Sequence, residues 1–290
     1  MPGILIFGAD GLIGHHLFVH FRQQTRTFGT LHGSRERYPE SLFPRDCIRD
    51  HLAAEDTPTV ARALDSFRPD WVINAIGLVK RPLADHPLAS LEANTLFPHR
   101  LANLCGQRGI RLLHFSTDCV FSGKHGSYAE SDLPDNPDWH GRCKALGEPV
   151  APHVLVLRTS FIGLELGCRK SLVEWFLAQT GEIPGYTRAI WNGLTAAEIC
   201  RAVEHLISRE SPAHGLWHLS ARQAISKHDL LRELNDRLPR RNAQIVQSPD
   251  FVCDRSLNGE ALRQQFGYCP PDYPAMLDEL AEDILIRRGI

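Results

Sequence analysis

Three glycines near the N-terminus constrain the fold more than any other feature of the chain. Gly8, Gly11 and Gly14 follow an apolar run at residues 3–7, and their segment opens a helical pattern at residues 12–24. A strand, a tight glycine turn and a helix N-terminus start a βαβ unit whose N–H groups and helix dipole attract phosphate. The spacing is GxxGxxG rather than the common GxGxxG. We predict a dinucleotide loop that includes Gly8, Asp10, Gly11, Leu12, Ile13 and Gly14; an ordinary strand-to-helix turn is the alternative.

Strand and helix patterns alternate over the first half of the chain. The predicted strands are residues 3–7, 27–32, 71–76, 111–116 and 154–158. The predicted helices are residues 12–24, 57–67, 88–107 and 140–148. This alternation favours an α/β fold, a Rossmann-type doubly wound parallel sheet.

The pattern changes after residue 158. Helices are predicted at residues 171–179, 196–208, 226–238 and over the last twenty residues, with a loop-rich stretch at 181–193 and a strand at 216–219. We predict that residues 1–160 form a dinucleotide-binding domain, with a return segment near 190–222. Residues 161–290 are expected to form mainly a smaller C-terminal α/β substrate lobe.

Composition excludes several classes of protein. Hydrophobic residues make up 43% of the chain, which is enough for a sizeable core. A net charge of -2 without a basic stripe argues against a nucleic-acid partner, and no uncharged run is long enough to cross a membrane. The eight cysteines show neither CxxC nor metal-ligand spacing. We therefore expect a cytoplasmic protein with reduced thiols, no secretory signal and no metal site.

The end of the second strand bears on the choice of cofactor. An acidic residue there would hold the ribose hydroxyls of NAD, but the segment instead carries Ser34, Arg35 and Arg37. Guanidinium groups suit a 2′-phosphate because they form bidentate contacts. We predict NADP, with NAD and a merely solvated loop left as alternatives.

Several motifs in the middle of the chain occur in a recognisable order. Ser116, Thr117 and Asp118 end a predicted strand, Tyr128-Ala-Glu130 follows, and residues 140–148 read HGRCKALGE. This layout resembles the dTDP-4-dehydrorhamnose reductase family of extended short-chain dehydrogenases/reductases, which carries a YGxxKxxGE helix. The resemblance runs nearly end to end, through residues 68–75, Asn94, and residues 158–160, 193–195 and 254–257.

The resemblance implies the reduction of a keto nucleotide sugar by hydride transfer. Thr117 would hold the carbonyl oxygen, and Lys144 would bind the nicotinamide ribose and assist a proton donor. Besides the glycine loop, the implied cofactor-binding residues are Arg35, Arg37, Asp50, Asn74, Ala75, Ile76, Gly77, Asn94, Ser116 and Lys144. The implied substrate-binding residues are Asp118, Cys119, Phe161, Trp175, Asn192, Thr195 and Arg255.

This chain departs from the family pattern at positions 119, 140 and 161. The catalytic Tyr is replaced by His140, and the rhamnose-type Tyr and Trp are replaced by Cys119 and Phe161. His140 would act as a weaker acid or a relay to water, another hydroxyl such as Tyr128 or Tyr186 would replace it, or the site binds without turnover. A space-filling role for His140 is also open. The smaller side chains at positions 119 and 161 predict an unusual sugar.

The preferred function is NADP(H)-dependent reduction of a 4-keto nucleotide sugar in deoxysugar or polysaccharide biosynthesis. The alternative is a catalytically impaired nucleotide-binding regulatory subunit, because the regulatory β subunit of methionine adenosyltransferase resembles the same family. We expect a nucleotide-sugar substrate and no nucleic-acid or membrane partner, and a homodimer remains open.

Overall fold

A parallel β-sheet with helices on both faces organises the computed structural model, which describes residues 2–78, 87–167, 170–239 and 243–289. In chain order the strands of these ranges are β1 (Ile4–Phe7), β2 (Thr27–Thr30), β3 (Ile48–Arg49), β4 (Trp71–Asn74), β5 (Arg111–Thr117), β6 (Val154–Thr159), β7 (Phe161–Ile162), β8 (Gly181–Tyr186), β9 (Ala189–Trp191), β10 (Leu194–Thr195), β11 (Gly215–His218), β12 (Ile225–Ser226), β13 (Ala243–Ser248) and β14 (Cys253–Asp254).

The α-helices of the same ranges cover the sheet and build the C-terminal part of the chain. In chain order they are α1 (Leu12–Arg22), α2 (Thr57–Phe67), α3 (Pro87–Leu91), α4 (Phe97–Gly106), α5 (Trp139–Leu146), α6 (Leu172–Leu177), α7 (Ala196–Ile207), α8 (Lys227–Arg237), α9 (Glu260–Phe266) and α10 (Tyr273–Arg288).

The main sheet has seven strands in the order β11-β6-β5-β4-β1-β2-β3. All of its strand pairs in the described ranges are parallel. The chain passes outward from β1 through β2 to β3, then crosses to β4 on the other side of β1. Ligands of such sheets bind at this switch point, beyond the carboxyl ends of the strands. The predicted Rossmann-type sheet is confirmed.

The core explains why the central strands read as continuous apolar runs. Every residue of β1 and β4 is buried, because helices cover both faces of the sheet. Ile4 and Ile6 pack into one hydrophobic cluster with residues of α1, α7 and α10. Leu5 and Phe7 point the other way, into a second cluster with residues of α2 and α4.

The helix predicted at residues 88–107 is interrupted by a π-helical turn, Glu92–Leu96. The N–H of Phe97 donates to the carbonyl of Glu92, and Pro98 occupies the first turn of α4. Because proline lacks an N–H group, the regular α-helical ladder has no donor at that position. The turn matters for the site because it carries Asn94.

The prediction of a loop-rich stretch at residues 181–193 is wrong. β8 pairs with β13 in parallel, and β9 pairs with both β12 and β14. Their partners lie far along the chain, so the local glycines and proline gave no indication of the pairing. Long-range backbone hydrogen bonds decide the conformation here.

The C-terminal part of the chain combines small sheets with packed helices. α8 packs against the small sheets formed by β8, β9, β12 and β13, and α10 packs against α8 and β10. β11 runs beside β6 at the edge of the main sheet. The division into two domains, with its boundary at residue 160, stays a prediction.

The glycine loop yields a test of the packing between β1 and α1. A Cβ atom on Gly14 would lie 2.0 Å from the Gly8 carbonyl oxygen, a backbone atom fixed by the turn. Overpacking costs typically about 1–3 kcal/mol, so we expect Gly14→Ala to lower the free energy of unfolding by about 2 kcal/mol or more. Gly11→Ala is the control, because its Cβ meets nothing closer than 3.3 Å. Equal urea midpoints for the two variants would contradict the prediction.

Candidate active site

The glycine loop lies at the carboxyl end of β1 and opens α1. Gly8 has φ of 79°, and a Cβ there would lie 2.9 Å from the Ile76 side chain, so both the turn and the close approach require glycine. Gly11 caps α1 without a side-chain hydrogen bond, and the first turn, with Leu12 and Ile13, has no acidic residue. The N–H groups of this turn can therefore donate hydrogen bonds to a bound anion.

The loop is held against the end of β2. The Asp10 carboxylate accepts a hydrogen bond from the His32 N–H at 3.2 Å, and the Gly8 N–H donates to Thr30 Oγ1 at 3.2 Å. These contacts place the second strand's end beside the glycine turn. A dinucleotide bound to the loop would therefore pass the residues that follow β2.

Arg35 and Arg37, both predicted to bind cofactor, lie in different surroundings. The Arg35 guanidinium donates to Glu40 at 2.7 Å and to the Phe43 carbonyl at 3.1 Å. Its backbone N–H donates to Asp50 at 3.0 Å, which gives that carboxylate a role in shaping the turn. Arg37 is exposed and lies over Gly33. The structure therefore presents Arg37 at the surface and uses Arg35 within the loop.

Two asparagines predicted at the cofactor site bind the backbone after β4. The buried Asn74 accepts from the Ile76 N–H at 3.1 Å and donates to His114 Nδ1 at 3.0 Å. Asn94 contacts both the N–H and the carbonyl of Leu78, at 3.0 and 2.9 Å. These amides fix the loop of Ala75, Ile76 and Gly77 beside the switch point.

Helix α5 carries His140 and Lys144, and two glycines, Gly141 within it and Gly147 just after it, allow it to pack closely against its neighbours. A Cβ on Gly141 would lie 2.4 Å from the Cys119 carbonyl, and one on Gly147 would lie 1.8 Å from the Asn94 carbonyl. The absence of these side chains lets the helix approach the end of β5 and the π-helical turn. His140 is half-buried in the first turn, and Lys144 follows one turn later on the same side.

The Lys144 ammonium is buried below the end of β5. Its Nζ donates to the Phe115 carbonyl at 2.6 Å. Burial lowers the pKa of Lys144 to about 8, against an opposing effect of Glu148. A cation held this way is a fixed positive charge near the carboxyl end of the strand.

The last residues of β5 divide between the two faces of the sheet. Thr117 Oγ1 donates to Asp118 at 3.1 Å and accepts from the Cys119 N–H at 3.1 Å. Ser116 points the other way and donates to Glu148 at 2.5 Å. Ser116 therefore bonds to Glu148, whereas Thr117 contacts Asp118 and Cys119, two of the predicted substrate residues.

A buried ion pair supports this strand end. Arg158 donates to both carboxylate oxygens of Glu148, each at 2.8 Å, and its guanidinium lies over the Phe121 ring. A third nitrogen of Arg158 lies 3.4 Å from Nε2 of His218. Burial and then the Arg158 charge lower the pKa of His218 to about 4. Glu148 and Arg158 stood in the sequence motifs, but only the structure shows their contact.

The two tyrosines that could replace the acid lie in different surroundings. The Tyr128 oxygen is buried and accepts the N–H groups of Gly123, Lys124 and His125 at 3.0–3.2 Å. Tyr128 therefore anchors its own loop. Tyr186 lies on β8, with its ring beside the Lys227 ammonium.

Part of the predicted substrate set converges at the end of β5. Arg255 donates to the Phe121 carbonyl at 3.0 Å and contacts Cys119 Sγ at 3.5 Å. The buried Asp118 lies close enough to Arg255 for their charges to interact. Phe161 contacts Phe115 edge-on with ring centroids 6.3 Å apart. Arg255 thus points into the turn that follows Thr117.

The other predicted substrate residues have structural contacts. Asn192 bonds both the N–H and the carbonyl of Leu257 at 2.8 Å, so its amide joins two segments. Thr195 caps α7, accepting from the Glu198 N–H at 3.4 Å. The Trp175 ring lies 4.9 Å from the Lys227 ammonium. None of these contacts joins them to the Thr117 turn.

The described ranges contain no group of three or more His, Cys, Asp or Glu side chains arranged to bind a metal ion. Within the same ranges, no helix combines the length and the apolar character that crossing a bilayer requires.

The buried lysine yields a test based on pH. Because its folded pKa lies below the usual 10.5, the unfolded chain binds more protons between about pH 8 and 10.5, so stability should rise with pH there. Lys144→Met should remove that rise and increase the free energy of unfolding at pH 7 by on the order of 1–2 kcal/mol. The exposed Lys124→Met is the control. Unfolding curves at pH 7 and 10 measure both effects; a Lys144→Met that is less stable at pH 7 would refute the argument.

Comparisons with known proteins identify the family. Residues 1–280 match the family model described as the RmlD substrate binding domain. A probable low-salt glycan biosynthesis reductase of Haloferax volcanii is 28% identical over 77% of this chain and 76% of its own. A dTDP-4-keto-6-deoxy-D-glucose reductase of Streptomyces niveus is 28% identical over 79% and 76%. The methionine adenosyltransferase 2 subunit beta of Danio rerio is 24% identical over 80% and 73%.

Solved structures agree on the fold. The dTDP-4-dehydrorhamnose reductase of Bacillus anthracis, in complex with NADP, has a TM-score of 0.76 at 17% identity, covering 97% of this chain and 99% of its own. The Bordetella bronchiseptica enzyme WbmG, in complex with NAD and UDP, has a TM-score of 0.80 at 20% identity, covering 99% and 95%. With a family model that spans nearly all of its residues, this chain belongs to the RmlD substrate-binding-domain family.

Proposed function

We propose that this protein is an NADP(H)-dependent reductase of a 4-keto nucleotide sugar, acting in deoxysugar or polysaccharide biosynthesis. The observation that carries the proposal is the buried Lys144 ammonium, which donates to the carbonyl of Phe115, two residues before Thr117 at the end of β5. A fixed cation and a hydroxyl are what a developing alkoxide requires. Two relatives are reductases by name, and one of these acts on a nucleotide-linked keto sugar.

The residues at the switch point fit a dinucleotide. The Gly8 turn, the open Gly11 position and the N-terminus of α1, which lacks an acidic residue, form a cradle for a pyrophosphate. Arg37 is the exposed guanidinium near the end of β2 and would contact a 2′-phosphate. NAD stays an alternative, because one structural relative was solved with NAD. When bound, the nicotinamide supplies a hydride.

The chain's own groups then position the sugar carbonyl. Lys144 has N–H donors beyond the one bonded to Phe115, and these would hold the nicotinamide ribose. Thr117 would hold the carbonyl oxygen and stabilise the charge that forms on it. Cys119 and Arg255 lie at the same turn and would contact the sugar or the diphosphate. By the resemblance to the reductase family, His140 would stand at the position of the acid.

A binding-only regulatory subunit is the second candidate. It is favoured by His140, since a phenol is missing from the first turn of α5, and by the similarity to a subunit of methionine adenosyltransferase. Thr117 and Lys144, which fit the reductase pattern, support the reductase over this alternative.

The two functions differ in NADPH oxidation. We expect the unaltered protein to oxidise NADPH with at least one of a panel of dTDP- and UDP-linked 4-keto-6-deoxy sugars. Lys144→Met should lower kcat/KM by about a hundredfold or more, whereas Lys124→Met should not change it. Stopped-flow absorbance measures the rates. NADPH binding without oxidation, in both the unaltered protein and His140→Tyr, would instead establish the binding subunit.

The two arginines after β2 are expected to differ in their effect on cofactor affinity. Arg37→Ala should weaken NADP binding about ten- to a hundredfold and leave NAD binding unchanged, because a charge-assisted contact contributes roughly 1.5–3 kcal/mol. Arg35→Ala should mainly lower stability, since it removes contacts to Glu40 and Phe43. Calorimetry with both dinucleotides decides. Equal losses for NAD and NADP in Arg37→Ala would overturn the assignment to NADP.

Assembly and location stay predictions. A homodimer is supported by exposed leucines on adjoining elements, with Leu88 and Leu96 near α3 and α4 and Leu146 at the end of α5. His99 Nε2 contacts the Leu146 carbonyl, so these elements form one surface. The cytoplasmic location follows only from the sequence pattern.

A further inference from the structure

The carboxyl group of Asp118 is buried beside the Thr117 hydroxyl, which we propose holds the carbonyl of the substrate. Its side chain is 5% exposed and accepts from Thr117 Oγ1 at 3.1 Å. It also bonds Ser160, whose Oγ accepts from the Trp191 indole N–H at 2.8 Å. The charged group facing it is Arg255, from the loop after β14, and the Cys119 thiol lies on its own turn. Asp118 is therefore fixed in place and contacts Thr117 directly.

The protonation state of Asp118 determines what Thr117 can do. With Asp118 ionised, the Thr117 hydroxyl donates a hydrogen bond to the carboxylate, and the Cys119 N–H donates a hydrogen bond to Thr117 Oγ1. With Asp118 protonated, the carboxylic acid donates to Oγ1 instead, so both acceptor sites of that oxygen are filled. The proton of Thr117 is then directed away from the loop, to the side where a carbonyl would bind.

We propose that Asp118 is the proton source that replaces the phenol missing at position 140, and that it acts through the Thr117 hydroxyl. The inference rests on the proposed reductase function. It assigns Asp118 a role in proton delivery in addition to the substrate contact expected from the sequence.

The step balances in atoms and charge. The hydride of NADPH forms a C–H bond at the carbonyl carbon, and the C=O π electrons move to the oxygen. That oxygen takes the Thr117 proton as Thr117 takes the Asp118 proton, which leaves an alcohol, NADP+ and an Asp118 carboxylate. Arg255 compensates the new negative charge, and solvent returns the proton after the product leaves.

The electrostatic surroundings suit an acid that holds its proton. Burial raises the pKa of Asp118, while Arg255 and the hydrogen bonds from Thr117, Cys119 and Ser160 oppose this effect. Buried carboxyl groups act as general acids in other enzymes for the same reason. Because the protonated form is the active one, kcat should increase as pH falls through this pKa.

The test compares three variants by kcat, KM and pH profile, using NADPH and the best sugar of the panel. Asp118→Asn keeps the size and the hydrogen bond to Thr117 but has no acidic proton. We expect it to lower kcat about tenfold or more, to change KM little, and to abolish the increase toward acidic pH. His140→Phe should retain that increase. Asp135→Asn is the matched control, since this exposed carboxylate binds Ser122 outside the site.

The contrary outcomes are distinct. Loss of the acidic increase in His140→Phe, with its retention in Asp118→Asn, would assign the proton to His140 and overturn the inference. A rise in KM alone for Asp118→Asn would make Asp118 only a substrate contact. No turnover by the unaltered protein would overturn the proposed function and the inference with it. NADPH fluorescence titration and thermal unfolding verify that each variant folds and binds.

Discussion

The buried ion pair between Glu148 and Arg158 fixes the part of the sheet on which the site depends. Glu148, in the segment after α5, accepts hydrogen bonds from Arg158 of β6 and from the Ser116 hydroxyl of β5. Arg158 also contacts His218 at the end of β11. The side chains of Glu148 and Arg158 are nearly inaccessible, at 8% and 5%. Removing one partner of such a pair costs typically about 3–5 kcal/mol, because the other charge stays buried and unpaired. The carboxyl ends of β5 and β6 therefore hold one arrangement.

Helix α5 combines close packing with an unfavourable charge. Gly141 and Gly147 let it approach backbone carbonyls, and this approach carries Lys144 into a position where burial disfavours its ammonium form. A protein selected for stability alone would place an apolar side chain there. The lysine makes sense as part of a preorganised electrostatic site, where a fixed cation near developing negative charge is worth more than it would be in water.

Several residues predicted to contact ligands also hold the backbone of the loops around the site. Asn94 and Asn192 bond backbone groups of distant segments, Asn74 bonds the N–H of Ile76 two residues later, and Arg35 bonds within its own turn. The sequence could not separate these roles, because a motif residue that holds a loop and one that touches a ligand follow the same pattern. The distinction depends on where the amide or guanidinium points, which only tertiary contacts decide.

The sequence by itself determined the glycine turn, the alternating elements of the sheet and the order of Thr117, His140 and Lys144, because these depend on local sterics and periodic patterns along the chain. Tertiary structure decided what lies far apart in sequence. It paired β8 with β13 where a loop was expected, joined Glu148 to Arg158, and placed Arg255 against Cys119. It also buried Asp118 behind Thr117, since burial and long-range contacts form only when separate segments pack together.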